Sequence, residues 1–333
     1  MKHFFVINPH SFCLTGNMEQ VIAEIRAAIP VSSQMDYEIY ISRYPRDAIA
    51  AVHRYISLFL PEETVRVYAV GGDGILFDCL NGMADFPNAE LTSIPYGTAN
   101  DVVRAYGENA KVQFRDIGKL FEAKAHLVDI IRCGANYALN EVSLGLSGQC
   151  VLHANAILRN KRSKFYTRFV SQIYFISSVR AVLTKEVMNQ RYRIFAGDED
   201  LSGRYCNINI SNGPCNGGTK VPSPYARPND GLLDVILVSS DKMLKILGCM
   251  ADFQKGLFEK HTVFTRRQCR EIELESSVPI RVHIDGDAFF AERLKIELLP
   301  GYIKFFVPEG LDFADYSQLA YKKTAKKKTR NEN

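Results

Sequence analysis

The sequence has no long hydrophobic run. No uncharged span reaches the roughly 18 residues that a helix needs to cross a bilayer. The segment Met1–Pro9 holds few apolar residues and no small-residue cleavage site, so it does not resemble a secretory signal. We therefore expect a cytoplasmic protein.

Disulfide and zinc-binding patterns are missing as well. The 8 cysteines occur singly, without C-x-x-C spacing, and Cys79, Cys133 and Cys249 lie in apolar runs where a thiol behaves as a small hydrophobic group. The 7 histidines show no H-x-x-x-H or other ligand spacing. These absences exclude a disulfide framework and argue against a zinc site.

Neither sign of charge is in large excess, because the sequence has 41 Lys and Arg residues and 37 Asp and Glu residues. A hydrophobic content of 47% over 333 residues is typical of a globular protein with room for two domains. Basic residues cluster at Arg159–Lys164 and in the tail Lys322–Arg330, where an anionic membrane surface or nucleic acid could be attracted. The alternative for residues 321–333 is a solvated, disordered terminus.

Strand and helix patterns alternate in the first part of the chain. The predicted elements are strands at His3–Asn8, Tyr37–Ser42, Val65–Val70 and Leu91–Ile94, and helices at Met18–Ile29 and Asp47–Leu60. A shorter helical stretch runs from Asp101 to about Tyr106. This order predicts a parallel sheet, and ligands of such sheets bind at the carboxyl edge of the strands.

Short β segments separated by turn residues dominate after residue 128. They are predicted at Val128–Arg132, Tyr137–Ser143, Arg191–Phe195, Tyr205–Ser211, Leu232–Val238, Arg270–Glu275, Val278–Ile284 and Leu294–Leu299, with helical insertions near Val151–Leu183 and Lys242–Phe258. The fold class is therefore α/β plus β. We predict an α/β domain at 1–128, a mainly antiparallel β-sandwich at 129–300, and a last strand and helix, about 301–320, that return to the first domain.

One turn in the first domain has the composition of a phosphate-binding site. The apolar strand Val65–Val70 runs into Gly71-Gly-Asp-Gly74 and directly into a helix, so glycine allows close approach and free helix amides face the ligand. Asp73 would repel phosphate unless a cation or a mobile proton stood between them, which favours chemistry on a nucleotide. The alternative is a tight turn in which aspartate only caps the helix.

Two further segments are predicted at the same sheet edge. The turn after Leu91–Ile94 places Thr98, Asn100 and Asp101 at a helix start, where hydroxyl and carboxamide groups can bind phosphate or fix the loop. Asn8-Pro-His-Ser11 follows the first strand. Asn-Pro is also an ordinary way to begin a turn.

Acidic residues occupy two turns of the second domain. Asp230 lies in the long Gly/Pro/Asn loop Asn212–Asp234, where it could bind a divalent cation or serve a plain turn. Asp285 and Asp287 lie two residues apart after a strand, a spacing that suits a general base or a metal ligand. A hairpin turn with acidic residues is the alternative.

Taken in order, these segments resemble the diacylglycerol kinase catalytic-domain family, which includes bacterial soluble lipid kinases and the sphingosine and ceramide kinases. Its patterns GGDGTxxEVxNG and IPxGTxNDFAR are similar to Gly71–Gly82 and Ile94–Arg104. Later family blocks resemble Asn140–Gly148, Gly217-Gly218 with Pro224 and Ala226, Asp230–Asp234 and Ile284–Asp287, so the resemblance spans about residues 3 to 307.

The resemblance implies an NAD-kinase-like α/β domain that binds ATP in a cleft beside a β-sandwich. It assigns the nucleotide site to Asn8, Pro9, His10, Ser11, Ser42, Gly71, Gly72, Asp73, Gly74, Ile75, Asp78, Gly97, Thr98 and Asn100. It also implies ATP- and Mg²⁺-dependent transfer of a phosphoryl group to a lipid hydroxyl, on a protein that associates peripherally with membranes. No nucleic-acid partner is implied, and a homodimer is among the oligomeric states left open.

Catalytic and metal-binding roles follow from the same resemblance. Asp287, with Asp285 beside it, would accept the hydroxyl proton. A network around catalytic Mg²⁺ would use Asp73, Asp101 and Asp129. A separate structural Mg²⁺ would bind Asp230 and the carbonyls of Arg227 and Leu232.

Four residues depart from the family pattern. Ile75 replaces a threonine and Phe12 a glycine, while Asp78 and Asp287 each replace glutamate and are one methylene shorter. Two alternatives therefore stay open. One is a kinase of a soluble acceptor, since NAD kinases share the GGDG turn, and the other is a catalytically weak nucleotide or lipid sensor.

Overall fold

The structure is a computed structural model that describes residues 1–12, 17–29, 35–146, 190–240 and 243–318. The predicted insertion near Val151–Leu183, the basic run Arg159–Lys164 and the tail Lys322–Arg330 lie outside these ranges. The described helices are α1 Met18–Ala28, α2 Asp47–Ile56, α3 Asp73–Met83, α4 Asp101–Arg104, α5 Ala110–Phe114, α6 Ile117–Glu122 and α7 Met243–Phe253, with single 3-10 turns at Pro9–Ser11 and Phe258–Lys260. No described helix has the length and apolarity needed to cross a membrane.

The first four strands form a parallel sheet in the order β2, β1, β3, β4. They are β1 Lys2–Ile7, β2 Asp36–Ile41, β3 Val65–Gly71 and β4 Ala89–Pro95. All seven residues of β3 are buried, as expected for a strand covered by helices on both faces. The predicted strands and long helices of this half are therefore present, and their carboxyl ends share one edge.

The later strands pair mainly antiparallel, in the order β12, β11, β10, β7, β13, β14. They are β5 Lys124–Cys133, β6 Asn136–Ala138, β7 Glu141–Gly145, β8 Arg191–Ala196, β9 Glu199–Asp200, β10 Gly203–Ser211, β11 Leu233–Ser239, β12 Phe264–Cys269, β13 Glu271–Ile284 and β14 Asp287–Val307. Most of their apolar side chains form a second core, whereas the first part of β5 and the end of β14 contribute to the core of the parallel sheet. The predicted α/β plus β architecture is confirmed.

Strand β14 joins the two halves. It has 21 residues, pairs with β13 at its start and with β5 further along, and near its end lies parallel to β4 at Lys304 and Phe305. The strand predicted at Tyr302–Val307 is the end of β14. The domain limits predicted at 128 and 300 fall inside β5 and β14, respectively.

Several strand predictions differ from the structure, and the short strand β9 was not predicted. Tyr137–Ser143 is divided into β6 and β7 because the amides between them bind the Asp285 side chain instead of a strand. Arg270–Glu275 and Val278–Ile284 are one strand, β13, with a register shift between Glu275 and Ile280. Strand β12 was not predicted.

Candidate active site

The two glycine turns of the parallel sheet are hydrogen-bonded to each other. The carbonyl oxygen of Gly71 accepts from the amides of Tyr96 and Gly97, at 2.7 and 2.8 Å, and from the side-chain amide of Asn100 at 2.9 Å. A Cβ on Gly97 would lie 2.2 Å from the Cα of Gly72, so no side chain fits there. Glycine is therefore needed where the turns touch, and the predicted pairing of the two turns is present.

The predicted amino-terminal residues lie at the same edge. The Asn8 amide donates to Val70 near the end of β3, and the Asn8 side chain accepts from the amide of His10 in the 3-10 turn. A Cβ on Gly71 would lie 2.8 Å from the Ser11 hydroxyl oxygen, and the Ser42 amide donates to Ile7. The carboxyl ends of β1, β2 and β3 therefore bring these side chains together.

Helix α3 supplies the free amides of the turn. The first hydrogen bond of the helix runs from the amide of Leu76 to the carbonyl of Gly72. The amides that precede Leu76 in the first turn have no helical acceptor. Thr98 is exposed beside them. The side chain of Ile75, by contrast, is only 2% exposed and packs in the first core, so this residue can offer only its amide to a ligand.

Asp73 and Asp101 each hold a neighbouring loop. The two carboxylate oxygens of Asp73 accept from the amides of Asn100 and Asp101, both at 2.8 Å. Those of Asp101 accept from Gly217 and Gly218, at 2.7 and 2.8 Å. The long loop of the second domain is thereby fixed against the second glycine turn.

The turn between β13 and β14 closes the site from the other side. Asp285 is 8% exposed and accepts from the amides of Leu139, Asn140 and Glu141 at 2.6, 2.9 and 2.8 Å. A Cβ on Gly286, the next residue, would lie 3.6 Å from the amide nitrogen of Gly74. The acidic turn therefore lies directly against the first glycine turn.

Asp287 differs from Asp285 in exposure and contacts. Its side chain is 37% exposed, and its carboxylate pairs with Nε of Arg46 at 3.2 Å. Asp78, on α3, receives a hydrogen bond from the Arg46 amide, and burial raises the pKa of this carboxyl to about 6. The structure thus groups Asp78 and Asp287 around an arginine that the sequence did not single out.

Glu141 is a second residue that the sequence reasoning missed. It is 3% exposed, and the side-chain amides of Asn209 and Asn216 donate to its carboxylate. Its position in the family block Asn140–Gly148 was the available signal, but no role had been attached to it. Burial, aided by the charges of Asp101 and Asp285, raises the pKa of Glu141 to about 7.

Burial disfavours the charged forms of Asp73, Asp101, Asp285 and Glu141, and the charge of Asp101 adds to this effect at the other three. Burial and then the charge of Asp101 raise the pKa of Asp73 to about 7, and burial raises that of Asp285 to about 6 despite its three amide donors. Burial also raises the pKa of Asp101. Crowded carboxylates of this kind have the oxygen donors that a hard divalent cation binds.

The carboxylate of Asp129 has its partners in the loop that contains Asp230 and in β14. It accepts from the amides of Gly231 and Gly301, at 2.8 and 2.7 Å, and its charge raises the pKa of Asp230 in addition to burial. The predicted catalytic-metal residue therefore lies beside the predicted structural-metal residue. Among the described residues, no three His, Cys, Asp or Glu side chains converge as a ready-made metal site. Mg²⁺ in phosphoryl-transfer enzymes usually needs only one or two carboxylates, because phosphate and water supply the rest.

The acid group predicts a pH effect on stability. Glu141 has a folded-state pKa above its unfolded value, so between about pH 4.5 and 7 the folded state binds more protons and stability falls as pH rises. Between about pH 4.5 and 7, we expect the free energy of unfolding of the wild-type protein to decline on the order of 3 kcal/mol because of Glu141. The substitution Glu141→Gln should remove this decline. Urea unfolding with a chelator present, between about pH 5 and 8, measures it.

The exposed Glu292 offers the matched control for this substitution. Glu292→Gln should keep the wild-type pH profile. The buried neutral histidines His3 and His283, whose pKa values burial lowers to about 4, act equally in all three proteins and cancel in the comparison. A Glu141→Gln profile parallel to wild type would contradict the prediction.

Comparison with known proteins identifies the two halves. Residues 2–133 match the model of the diacylglycerol kinase catalytic domain, and residues 141–307 match the YegS C-terminal NAD kinase beta sandwich-like domain. The chain is 26% identical over 289 residues to a "Probable lipid kinase YegS-like" of Pseudomonas aeruginosa, covering 86% of this chain and 90% of the relative. A relative of the same name from Pseudomonas syringae is 26% identical, with 80% of each chain covered.

A solved structure that bears the diacylglycerol kinase name has a similar fold. A crystal structure of a diacylglycerol kinase from Bacillus anthracis superposes with a TM-score of 0.66 at 19% identity, over 93% of this chain and 98% of that one. This likeness supports the fold, while the two matched models together account for most of the sequence. The chain therefore belongs to the diacylglycerol kinase catalytic-domain family and carries the C-terminal domain of the YegS type.

Proposed function

We propose that this chain transfers the γ-phosphoryl group of ATP to the hydroxyl of a diacylglycerol-like lipid alcohol, with Mg²⁺ as cofactor. One observation carries the proposal. The turn that bears Asp287 lies against the backbone of Gly74 through Gly286, so a carboxylate able to accept a proton stands one residue from the turn that presents free helix amides.

Each part of the site has a separate task in this reaction. The amides at the start of α3 and the hydroxyl of Thr98 bind phosphate oxygens, helped by the positive end of the helix. The lipid oxygen attacks the γ-phosphorus, its proton passes to the Asp287 carboxylate, and the bond from phosphorus to the bridging oxygen breaks as ADP leaves. Positioning and charge neutralisation account for most of the catalysis in such transfers.

Mg²⁺, when bound, would offset the negative charge of the phosphate oxygens. Asp73 and Asp101 are the residues that would hold it with the nucleotide, because their carboxylates lie at the two glycine turns, Asp73 bound to the amides of the second turn and Asp101 to those of Gly217 and Gly218. Asp230, with the carbonyls of Arg227 and Leu232 and with Asp129 beside it, would hold the structural ion. The amides that already bind these carboxylates leave further lone pairs for a metal.

Peripheral membrane association is part of the proposal, because the acceptor lies in a bilayer. The basic tail Lys322–Arg330 of the sequence provides attraction to anionic headgroups. ATP and the lipid are the expected partners.

The test is incubation of the full chain with ATP and Mg²⁺ and a panel of acceptors in mixed micelles. The panel holds diacylglycerol, phosphatidylglycerol, a sphingoid base and NAD. Mass spectrometry that finds a phosphorylated lipid supports the proposal. Phosphorylated NAD alone would replace it with a kinase of a soluble acceptor, and ATP binding without any product would replace it with a nucleotide sensor.

A further inference from the structure

Arg46 has an unfavourable backbone conformation. Its φ of 66° and ψ of 4° are left-handed, and it stands immediately before α2. A side chain with a Cβ makes this conformation costly, whereas glycine adopts it freely. Strain of this kind persists where the surroundings impose it, and it is frequent at functional sites.

The Arg46 side chain is held by three separate segments. Nε pairs with Asp287 at the start of β14, at 3.2 Å, and Nη2 donates to the side chain of Asn136 at the start of β6, at 2.7 Å. The guanidinium carbon lies 5.5 Å from the ring centre of Phe77 on α3. One cation therefore fixes the acidic turn relative to the helix that follows the first glycine turn.

We propose that Arg46 is a positioning residue for Asp287, an inference that rests on the proposed function. The two oxygens of Asp287 have different partners, since Oδ2 faces Arg46 and Oδ1 accepts from the Ala288 amide at 2.8 Å. The carboxylate is thereby fixed in rotation while remaining open to an acceptor hydroxyl. A short aspartate in place of the family's glutamate has less reach, so its placement is more demanding.

Because the backbone of Arg46 is strained, an experiment can distinguish a positioning role of this residue from a structural role. In Arg46→Gly the guanidinium is lost but the backbone strain is relieved, and the main-chain amide that donates to Asp78 remains. The lost contacts belong to a side chain that is 48% exposed, so they contribute little to stability. Folding and catalysis should therefore respond differently to this substitution.

The experiment compares Arg46→Gly and Arg46→Lys with the control Arg43→Gln. Arg43 lies three residues earlier, is 69% exposed and pairs with Asp47 rather than Asp287. For Arg46→Gly we expect a melting temperature within about 2 °C of wild type and a kcat about tenfold to a hundredfold lower, with little change in KM for ATP. Arg46→Lys should recover part of kcat, and Arg43→Gln should behave as wild type.

A second comparison uses Asp287→Asn alone and combined with Arg46→Gly. If arginine acts through Asp287, the double variant is no slower than Asp287→Asn. Wild-type kcat in Arg46→Gly, or equal losses of kcat and melting temperature, overturns the inference and leaves the proposed function standing. Absence of phosphorylated lipid with the wild-type protein removes both.

Discussion

Asp287→Asn is expected to lower kcat for lipid phosphorylation by about a hundredfold to ten-thousandfold, the usual contribution of a positioned general base. Asparagine has nearly the same shape and keeps an oxygen for the Ala288 amide, but it cannot accept the hydroxyl proton. Stability should change by less than about 1 kcal/mol, because the side chain is 37% exposed and its ion pair with Arg46 is solvated. Single-turnover assays of phosphorylated lipid, with thermal unfolding in parallel, give both quantities.

Nucleotide binding supplies the control for this variant. The free amides of α3 are main-chain groups that the substitution does not touch, so ATP affinity measured by calorimetry should stay within about threefold of wild type. Glu292→Gln, an exposed change on the same strand, should leave kcat unaltered. Full turnover by Asp287→Asn would mean that another group accepts the proton, and the base assignment would be wrong.

The fold was largely accessible from the sequence because its signals are local. Strand β3 is apolar except for Arg66 and runs into glycines, which predicts a buried parallel strand followed by a helix, and the structure has both. The full length of β14 could not be predicted from the sequence. Pro300-Gly301 reads as a break, yet the strand continues past it because β5 pairs on both sides and Asp129 accepts from the Gly301 amide.

The site was accessible only in part, since its partners come from distant segments. The sequence predicted that Asp73 lies in a glycine turn near a second one, and the hydrogen bonds from Asn100 and Asp101 agree with that geometry. Arg46 could not be found, because its importance depends on a left-handed backbone and a contact 241 residues along the chain. The hydrogen bond from the Gly231 amide to Asp129 likewise depends on how the loop near Gly231 folds.

Asp285→Ala is expected to lower the free energy of unfolding by about 3–6 kcal/mol, since three main-chain amides would lose their acceptor and each unpaired buried donor costs about 1–3 kcal/mol. That loss is a large fraction of the 5–15 kcal/mol that typically stabilises a domain. Asp285→Asn keeps one acceptor oxygen and should lose roughly half as much. Urea unfolding of the purified proteins measures both.

Asp287→Ala is the matched control for stability, because it removes the same kind of side chain from the same turn, two residues later in the sequence. Asp287 accepts one amide, from its own neighbour, and is far more exposed than Asp285. We expect this control to lose less than about 1 kcal/mol. Equal destabilisation by the two alanine variants would show that the amides of residues 139–141 find another acceptor. The expected result is that Asp285 controls stability and Asp287 controls turnover. It means that Asp285 holds β7 in place, while Asp287, two residues later on the same turn, accepts the proton.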